Sequence, residues 1–346
     1  MGWCHRLSFP QQSKRIKTLN YLSFIFDEYL LYMIRLISCT IIILLTNFIY
    51  AQSSFQIVPL GVRGGSEENN LSSYMLAPVN SREYICLDAG TLHAGIEKAI
   101  AVKTFNAPAS VVLRQYIKGY FISHGHLDHL AGMIINSPDD TIKNIYGLPY
   151  VIDVLKDKYF SWRSWANFAD DGETPALRKY HYVTLDTVNE IPVTNTSMYA
   201  RTFALAHSSP YKSSAFLVRN NESYVLYLGD TGADTIEHSN RLHALWESIV
   251  PLVKEKKLKG IFIEVSFPDE QPEKLLFGHL TPRLLMEEMK VLNKLCGGNA
   301  VAGLPVIITH MKPLGGSIGK IKHQLQVNNP LRLRLIFPEQ GKKIVL

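Results

Sequence analysis

Hydrophobic positions in this chain fall into short runs rich in β-branched and aromatic residues, and polar turns separate these runs. Such runs are typical of buried strands. Stretches with helical spacing lie between several of them, and no repeat or long linker interrupts the chain. This alternation predicts one α/β domain. The predicted strands cover residues 55–62, 72–79, 83–90, 119–123, 199–206, 214–220, 223–229, 259–267 and 304–310.

Two segments have the spacing of an amphipathic helix. The clearer one begins at Thr281, whose side chain can cap a helix that has Pro282 at its first position. The other runs from about residue 239 to residue 257. Residues 156–181 have no clean period, so we expect a helix and a loop there. The apolar face of the first helix would carry Leu284, Leu285, Met289, Leu292 and Leu295.

The N-terminal part of the chain, residues 1–51, reads as a separate extension. An uncharged apolar run of fifteen residues, 36–50, follows Arg35 and precedes Ala51. A membrane-spanning helix needs about 20 residues, whereas a basic start, a short apolar centre and a small residue at the exit describe a secretory signal peptide. We therefore expect a signal peptide over about 33–51, a periplasmic or secreted product, and no stable membrane association after cleavage. A retained membrane anchor is the alternative.

The remaining residues, 52–346, are expected to form the functional domain. Residues 1–51 carry five of the 36 Lys and Arg and two of the 30 Asp and Glu, so 31 bases and 28 acids remain, a net charge of +3. A domain with so little net charge lacks the strongly basic character of proteins that bind nucleic acid. No nucleic-acid polymer is therefore expected as a partner. Cys86 and Cys296 lie in apolar surroundings and are expected to be buried thiols, with a disulfide between them left open.

Potential metal ligands follow the predicted strand 119–123. His124, His126, Asp128 and His129 lie within six residues. Residues two apart project to the same side of an extended segment, so His124 and His126 can bind one ion. The other two fall where the chain turns into a helix and can hold a second ion. Imidazole and carboxylate ligands suit zinc, manganese or iron, and the lack of thiolates disfavours a closed structural zinc site.

Three more potential ligands occupy equivalent positions further along the chain. His207 follows the strand 199–206, Asp230 follows the strand 223–229, and His310 ends the run 304–310. Functional groups of α/β sheets gather beyond the carboxyl ends of the strands. We therefore expect these side chains to join the first cluster.

The run HGHLDHLAGMIINSP, residues 124–138, resembles the signature of class II cyclic-nucleotide phosphodiesterases, which belong to the metallo-β-lactamase fold superfamily. The resemblance extends to VPLGVRGG, LDAGT, YLGDTGAD, IEVSFP, GHLTP and ITHMKP, and so covers nearly all of the chain after residue 52. It implies an α/β fold, a four-layer αβ/βα sandwich built from two similar halves, with the site at one edge. It also implies two divalent metal ions, with zinc expected and manganese or iron as alternatives.

The resemblance assigns a role to each candidate ligand. It implies that one metal is held by His124, His126 and His207, that the other is held by Asp128, His129 and His310, and that Asp230 bridges them, with room for a bridging hydroxide. The expected reaction is hydrolysis of 3′,5′-cyclic nucleotides, cyclic AMP or cyclic GMP, to nucleoside 5′-monophosphates.

Two further residues are candidates for proton transfer. Expelling the 3′ oxygen needs an acid, and His279 in GHLTP resembles the histidine that related tRNA-processing nucleases place beside the scissile phosphate. Glu264 in IEVSF matches the glutamate that orients that histidine. Asp128 is a candidate to contact the attacking water as well as a metal. Lys312 is a candidate to neutralise phosphate charge.

Other interpretations remain open at this point. The fold also supports an RNA-processing endonuclease, a β-lactamase or lactonase, and an inactive metal-binding homologue. The aromatic residues between 159 and 168 could stack on a base but are more often core, and we assign none of them to the site. Paired glycines at 64–65 could bring backbone amides to phosphate, although such pairs usually make turns. Whether the chain forms a homodimer is not determined by sequence.

Overall fold

The computed structural model describes residues 28–38 and 54–346. The chain divides into two units, Met1–Gln52 and Ser53–Leu346. In the first unit a helix, α1, covers residues 28–38, and most of the apolar run 36–50 lies outside the described residues. Within the described part of the chain, every helix is too short or too polar to cross a membrane. The signal peptide over 33–51 therefore stays a prediction.

The second unit contains two sheets of seven strands each, in the orders β14-β1-β2-β3-β4-β5-β6 and β13-β12-β11-β10-β9-β8-β7. Counted from β14 in the first sheet and from β7 in the second, each sheet has three antiparallel pairs followed by three parallel pairs. The two halves of the unit thus repeat one topology. The strands are β1 Phe55–Gly61, β2 Ser73–Pro78, β3 Tyr84–Leu87, β4 Ile117–Phe121, β5 Lys143–Gly147, β6 Tyr180–Thr184, β7 Glu190–Pro192, β8 Tyr199–Ala206, β9 Lys212–Asn220, β10 Ser223–Leu228, β11 Leu258–Glu264, β12 Pro305–Thr309, β13 Arg334–Ile336 and β14 Ile344–Val345.

Helices connect the parallel strands. Parallel pairing requires a crossover connection, which is commonly a helix packed on a face of the sheet. π-Helical turns over Val112–Tyr116 and Leu155–Tyr159 continue α3 and α5, and 3₁₀ turns cover Glu273–Leu275 and Asn299–Val301. The helices are α2 His93–Ala101, α3 Ala109–Val111, α4 Leu127–Asn136, α5 Pro149–Val154, α6 Asp234–Glu237, α7 Arg241–Lys254, α8 Pro282–Leu295 and α9 Ser317–Val327.

Three apolar clusters fill the spaces between the layers. The middle cluster joins the two sheets and is rich in aromatic residues, including Phe121 stacked on Tyr146 with ring centroids 4.4 Å apart. One outer cluster packs helices such as α2 and α4 on the first sheet, and the other packs α7 and α8 on the second. Helices and sheets therefore alternate as helix, sheet, sheet, helix. This confirms the predicted four-layer αβ/βα sandwich.

The predicted helix at Thr281 is confirmed. The Thr281 side chain accepts a hydrogen bond from the backbone N–H of Leu284, and α8 then runs to Leu295. The second predicted helix is α7, which is shorter at both ends than the predicted 239–257. In the segment 156–181, the π-helical turn is followed by a long irregular stretch that ends at β6. This agrees with the expected helix and loop.

The two cysteines of the second unit are free and buried, as expected. Cys86 lies in β3, and burial raises the pKa of its thiol well above the usual range. Cys296 caps the C-terminus of α8. Both thiols therefore act as small apolar core groups, and a disulfide between them is not formed.

Candidate active site

The first group of candidate ligands lies where β4 turns into α4. β4 ends at Phe121, and His124 follows in a fully buried position. His126 is the N-cap of α4 and has an extended backbone, so the chain changes direction at this residue. Asp128 and His129 then lie in the first turn of the helix. The two pairs therefore approach the site from different angles, as the spacing predicted.

The second group comes from the other half of the domain. His207 follows β8, Asp230 follows β10, and His310 follows β12. All three side chains are almost completely buried. His310 has a positive φ of 57°, an uncommon backbone conformation for a residue that is not glycine. Since the carboxyl ends of these strands meet at the same edge as β4, the structure brings all seven predicted ligands together.

One cluster contains His124, His126, His207 and Asp230. The potential ligand atoms of these four residues all lie within 4.8 Å of one another. His124 Nε2 is 2.9 Å from His126 Nδ1 and 3.8 Å from Asp230 Oδ2. His207 Nε2 is 4.0 Å from the same carboxylate oxygen. Three imidazoles and one carboxylate thus converge on a single point.

A second cluster contains Asp128, His129 and His310, again within 4.8 Å. His310 Nε2 is 3.0 Å from Asp128 Oδ2 and 3.2 Å from Asp230 Oδ2. His129 Nε2 is 3.3 Å from the other oxygen of Asp230. The Asp230 carboxylate therefore lies between the clusters, in the position predicted for a bridging ligand.

Four of the histidines are held by a hydrogen bond at the nitrogen that faces away from the clusters. The partners come from backbone and side chains that the sequence analysis did not assign to the site. The Nδ1 distances are 2.9 Å from His124 to Ser123 Oγ, 2.7 Å from His129 to Asp88 Oδ2, 2.8 Å from His207 to the Gly278 carbonyl, and 2.9 Å from His310 to Ser266 Oγ. Such partners fix the tautomer and the ring orientation of a metal-binding histidine.

Asp88 is the most connected of these partners. Its carboxylate accepts hydrogen bonds from the backbone N–H and the hydroxyl of Ser123 and from the hydroxyl of Tyr227, in addition to His129. It is fully buried and has a positive φ of 55°. The LDAGT motif contained it, but nothing in the spacing pointed to its role.

Burial keeps one group of imidazoles neutral. It lowers the pKa of His124 and of His207, and neighbouring histidines lower both further. Partial desolvation, together with the neighbouring His207, also lowers the pKa of His126, to about 4. These three rings are therefore uncharged near neutral pH, and each retains a nitrogen lone pair that a cation can accept.

The carboxylates of the site are ionised. The pKa values of Asp128 and Asp230 lie well below their usual range, although burial opposes ionisation, because His129 and His310 lie beside them. The pKa of His129 is raised, again against the effect of burial, because Asp230, Asp88 and Asp128 surround it. Ionised carboxylates together with the neutral imidazoles of His124, His126 and His207 form a donor set that suits a divalent metal ion.

Two buried histidine nitrogens of the site lack a hydrogen-bond partner. They are Nε2 of His129 and Nε2 of His207, and each faces one of the two clusters. A buried polar atom without a partner costs about 1–3 kcal/mol, and a bound ion is one group that can satisfy it. The residues present therefore fit a divalent metal in each cluster.

His279 and Glu264 lie next to these clusters, as predicted. His279 Nδ1 is 2.7 Å from Glu264 Oε1, and its ring stacks on His310 with centroids 5.3 Å apart. Its other nitrogen, Nε2, is 3.1 Å from Lys312 Nζ. Together with Asp230 and His310, His279 also forms a third group with the spacing of metal ligands. Geometry thus allows His279 to serve either as an acid or as a ligand.

The glycines 64–65 do not serve as the phosphate-binding pair considered from sequence. The backbone N–H of Gly65 donates a hydrogen bond to Asp128 Oδ2 at 3.0 Å, so this amide is already paired within the site. A Cβ on Gly64 would come within 2.2 Å of the His310 ring. The pair therefore supports the ligand residues directly, through a hydrogen bond and through close approach.

The aromatic residues 159–168 are largely core, as expected. Phe160 is fully buried, and Trp165 and Phe168 pack against the outer cluster of the first sheet. Trp162 is exposed. Tyr159 also packs against this cluster, and its hydroxyl donates a 2.9 Å hydrogen bond to the carbonyl of Gly125, between two of the ligand histidines.

Solved structures share this fold. The crystal structure of unliganded yeast PDE1 superimposes with a TM-score of 0.76 at 24% sequence identity, covering 85% of this chain and all of that one. The metallo-β-lactamase fold protein YhfI from Bacillus subtilis gives a TM-score of 0.57 at 14% identity, over 84% of this chain and 99% of that one. The domain therefore has the metallo-β-lactamase fold.

Sequence relatives identify the family. A 3′,5′-cyclic-nucleotide phosphodiesterase of Aliivibrio fischeri is 41% identical over 313 residues, which are 86% of this chain and 94% of the relative. A probable 3′,5′-cyclic-nucleotide phosphodiesterase of Yersinia pestis is 38% identical over 305 residues, 84% of this chain and 88% of the relative. The family model for class II cAMP phosphodiesterases matches residues 55–316. The chain therefore belongs to the class II cAMP phosphodiesterase family.

Proposed function

We propose that this protein hydrolyses 3′,5′-cyclic nucleotides, cyclic AMP or cyclic GMP, to nucleoside 5′-monophosphates. The observation that carries the proposal is the pair of ligand clusters on either side of Asp230, together with the buried Nε2 atoms of His129 and His207, which make no hydrogen bond. Membership in the class II cAMP phosphodiesterase family supports the substrate class. Two bacterial relatives that bear this activity in their names support it further.

The site is proposed to bind two divalent metal ions, with zinc expected and manganese or iron as alternatives. His124, His126 and His207 would hold one ion, Asp128, His129 and His310 the other, and Asp230 both. Bound there, the ions would lower the pKa of a water molecule and neutralise charge on the phosphate oxygens.

His279 is proposed to act as the general acid. In the reaction a water oxygen bonds to phosphorus, and the bond from phosphorus to the 3′ oxygen breaks, so that oxygen must take up a proton. Glu264 accepts a hydrogen bond from His279 Nδ1. That leaves Nε2 of His279 to donate its proton to the 3′ oxygen.

Charge around His279 supports an anionic substrate. Although burial opposes protonation, Glu264 and Asp230 raise the pKa of His279, so the ring is held in its acidic form. The ammonium of Lys312 lies 3.1 Å from the same ring and is only partly buried. Glu264 and Asp230 offset the charge of the His279 ring, and the Lys312 ammonium adds a further positive charge at the site. A cyclic phosphodiester, which carries one negative charge, suits such a site.

A panel of substrates tests the proposed function. Purified protein supplied with zinc or manganese is assayed in parallel on cyclic AMP, cyclic GMP, a phosphodiester dye, a tRNA precursor and a β-lactam. We expect turnover of at least one cyclic nucleotide and none of the tRNA, because residues 52–346 carry a net charge of only +3. Hydrolysis of the dye alone would contradict the substrate class and leave the metal site in place. Turnover of none would indicate an inactive homologue.

We also propose that the protein is exported. The support is the uncharged run 36–50 between Arg35 and Ala51. N-terminal sequencing of the protein from its native host should give a mature chain that starts near Gln52, in periplasmic extract or in the medium. A chain that starts at Met1 in the cytosol would contradict export without affecting the proposed activity.

A further inference from the structure

His126 differs from the other four ligand histidines in how it is held. Each of the others has a hydrogen bond between Nδ1 and a serine, an aspartate or a backbone carbonyl. His126 instead turns Nδ1 toward the cluster, 2.9 Å from His124 Nε2. Its Nε2 has no hydrogen-bond partner among the described residues, and the side chain is exposed. No hydrogen bond at the outward nitrogen therefore orients this ring.

A tyrosine ring lies flat against His126 in place of that hydrogen bond. The rings of His126 and Tyr211 are nearly parallel, with an interplanar angle of 11° and centroids 4.5 Å apart. Tyr211 also meets the other two histidines of the same cluster edge-on, at 6.2 Å from His124 and 6.1 Å from His207. Among the described residues, it makes no ring contact with His129 or His310. Its ring contacts are therefore confined to one of the two clusters.

The position of Tyr211 follows from the local chain. It comes four residues after His207, in the turn between β8 and β9, and its backbone N–H donates to the Ser208 carbonyl. A Cβ on Gly125 would lie 3.3 Å from the Tyr211 hydroxyl and 2.7 Å from Val154. Glycine at 125 thus leaves room for the phenol against the segment that carries the ligands.

We propose that Tyr211 is a positioning residue, which holds the His126 imidazole by stacking so that Nδ1 faces the first metal. The inference rests on the proposed function, because it presupposes metal binding by His126. Parallel aromatic contact restricts rotation of the ring, and loss of an outer partner typically lowers metal affinity by 10- to 100-fold. The phenol hydroxyl is not required for this role.

The test compares metal affinities of the full-length protein and three variants. Apoprotein is titrated with Co²⁺ against a competing chelator, and the absorption of the bound ion reports each site. Tyr211→Leu should weaken one of two Co²⁺ equivalents by about 10-fold or more and leave the other unchanged. Tyr211→Phe, which keeps the ring, should stay within about 3-fold of wild type. Tyr199→Leu is the matched control, since Tyr199 is 38% exposed and Tyr211 37%, and Tyr199 packs under Arg219 away from the site.

Several outcomes would overturn the inference. Unchanged affinities in Tyr211→Leu, equal weakening of both sites, or a loss in Tyr211→Phe as large as in Tyr211→Leu would each contradict it. The unfolding temperature of each apoprotein shows whether a variant has lost its fold. If Tyr211→Leu does not fold, the metal affinity of Tyr211→Phe tests the inference instead. A wild-type protein that binds no Co²⁺ would contradict the proposed function itself, which distinguishes that failure from this one.

Discussion

The nitrogen that a histidine presents to the two clusters depends on what its other nitrogen contacts. His207 donates from Nδ1 to the Gly278 carbonyl, so Nε2 is left facing the cluster with its lone pair. At His279 Nδ1 is likewise engaged, by Glu264, but Nε2 lies 3.1 Å from Lys312 Nζ. The surroundings of Nε2 are therefore the basis of the proposed division between metal binding and proton transfer.

Replacing His279 by alanine tests that division. If His279 is the general acid, His279→Ala should retain both metal equivalents and slow cyclic-nucleotide turnover by roughly 100-fold, about 2.7 kcal/mol in activation free energy. Elemental analysis and steady-state kinetics give the two quantities. Loss of a metal equivalent would instead assign His279 to the third ligand group with Asp230 and His310. Near-normal turnover would remove it from the acid role.

Asp88 should be needed for metal binding although it lies outside both clusters. In Asp88→Asn one carboxylate oxygen becomes an amide donor, which faces the donors from Ser123, Tyr227 and His129. We expect the affinity for one metal equivalent to fall by about 10- to 100-fold. Asp170→Asn is the control, because Asp170 pairs with the exposed His181 on the surface. Equal metal affinities in the two variants would contradict the role of Asp88.

Sequence predicted the residues at the centre of the site better than those around it. The ligands were visible because several histidines and aspartates follow strands at short spacing, as in residues 124–129. Asp88 and Ser266 act through another side chain. Which residues take such a role depends on packing, so no spacing pattern in the sequence marks them. Tyr211 resembles any surface tyrosine until the fold places it on His126.

At the level of elements, the segment before α8 positions two functional residues at once. Gly278 has a positive φ of 78°, and a Cβ there would lie 2.2 Å from the Ser208 backbone nitrogen and 2.7 Å from His207 Nδ1. Its carbonyl accepts the His207 hydrogen bond, and His279 follows directly. Glycine is required here by both backbone conformation and close approach.

Gly278→Ala should therefore lower the free energy of unfolding by more than backbone strain alone would. Gly303 is a matched control, because its φ of 77° is nearly the same but a Cβ at that position would meet no atom within 4 Å. We expect Gly303→Ala to lower the free energy of unfolding by about 1–2 kcal/mol with metal binding intact. Gly278→Ala should lose more stability and also weaken metal binding, as followed by denaturant unfolding and metal titration. Identical behaviour of the two variants would contradict the packing argument.

Strands with long apolar runs were predictable, and short or polar ones were not. β1, β9 and β11 are buried over most of their length and were recognised from composition. β5 and β6 contain lysine, asparagine or histidine and lie toward an edge of the first sheet, so their sequences lack a strong apolar signal. Pairing with neighbouring strands, rather than intrinsic propensity, makes these segments extended.

On the scale of the whole domain, the site lies at the junction of two halves with the same topology. The first half supplies residues 124–129, and the second supplies His207, Asp230 and His310. Each cluster therefore takes ligands from both halves. Periodicity could not reveal this arrangement, because it depends on how the two sheets face each other across the aromatic middle layer.

The most direct measurement is a metal titration of the apoprotein with cyclic AMP as substrate. Zinc or manganese is added stepwise, bound metal is quantified, and nucleotide products are separated by chromatography. The account predicts that 5′-AMP accumulates and that the rate rises until two equivalents are bound. A rate that is already maximal below one bound equivalent would contradict it. So would the absence of a nucleotide product when two equivalents are bound.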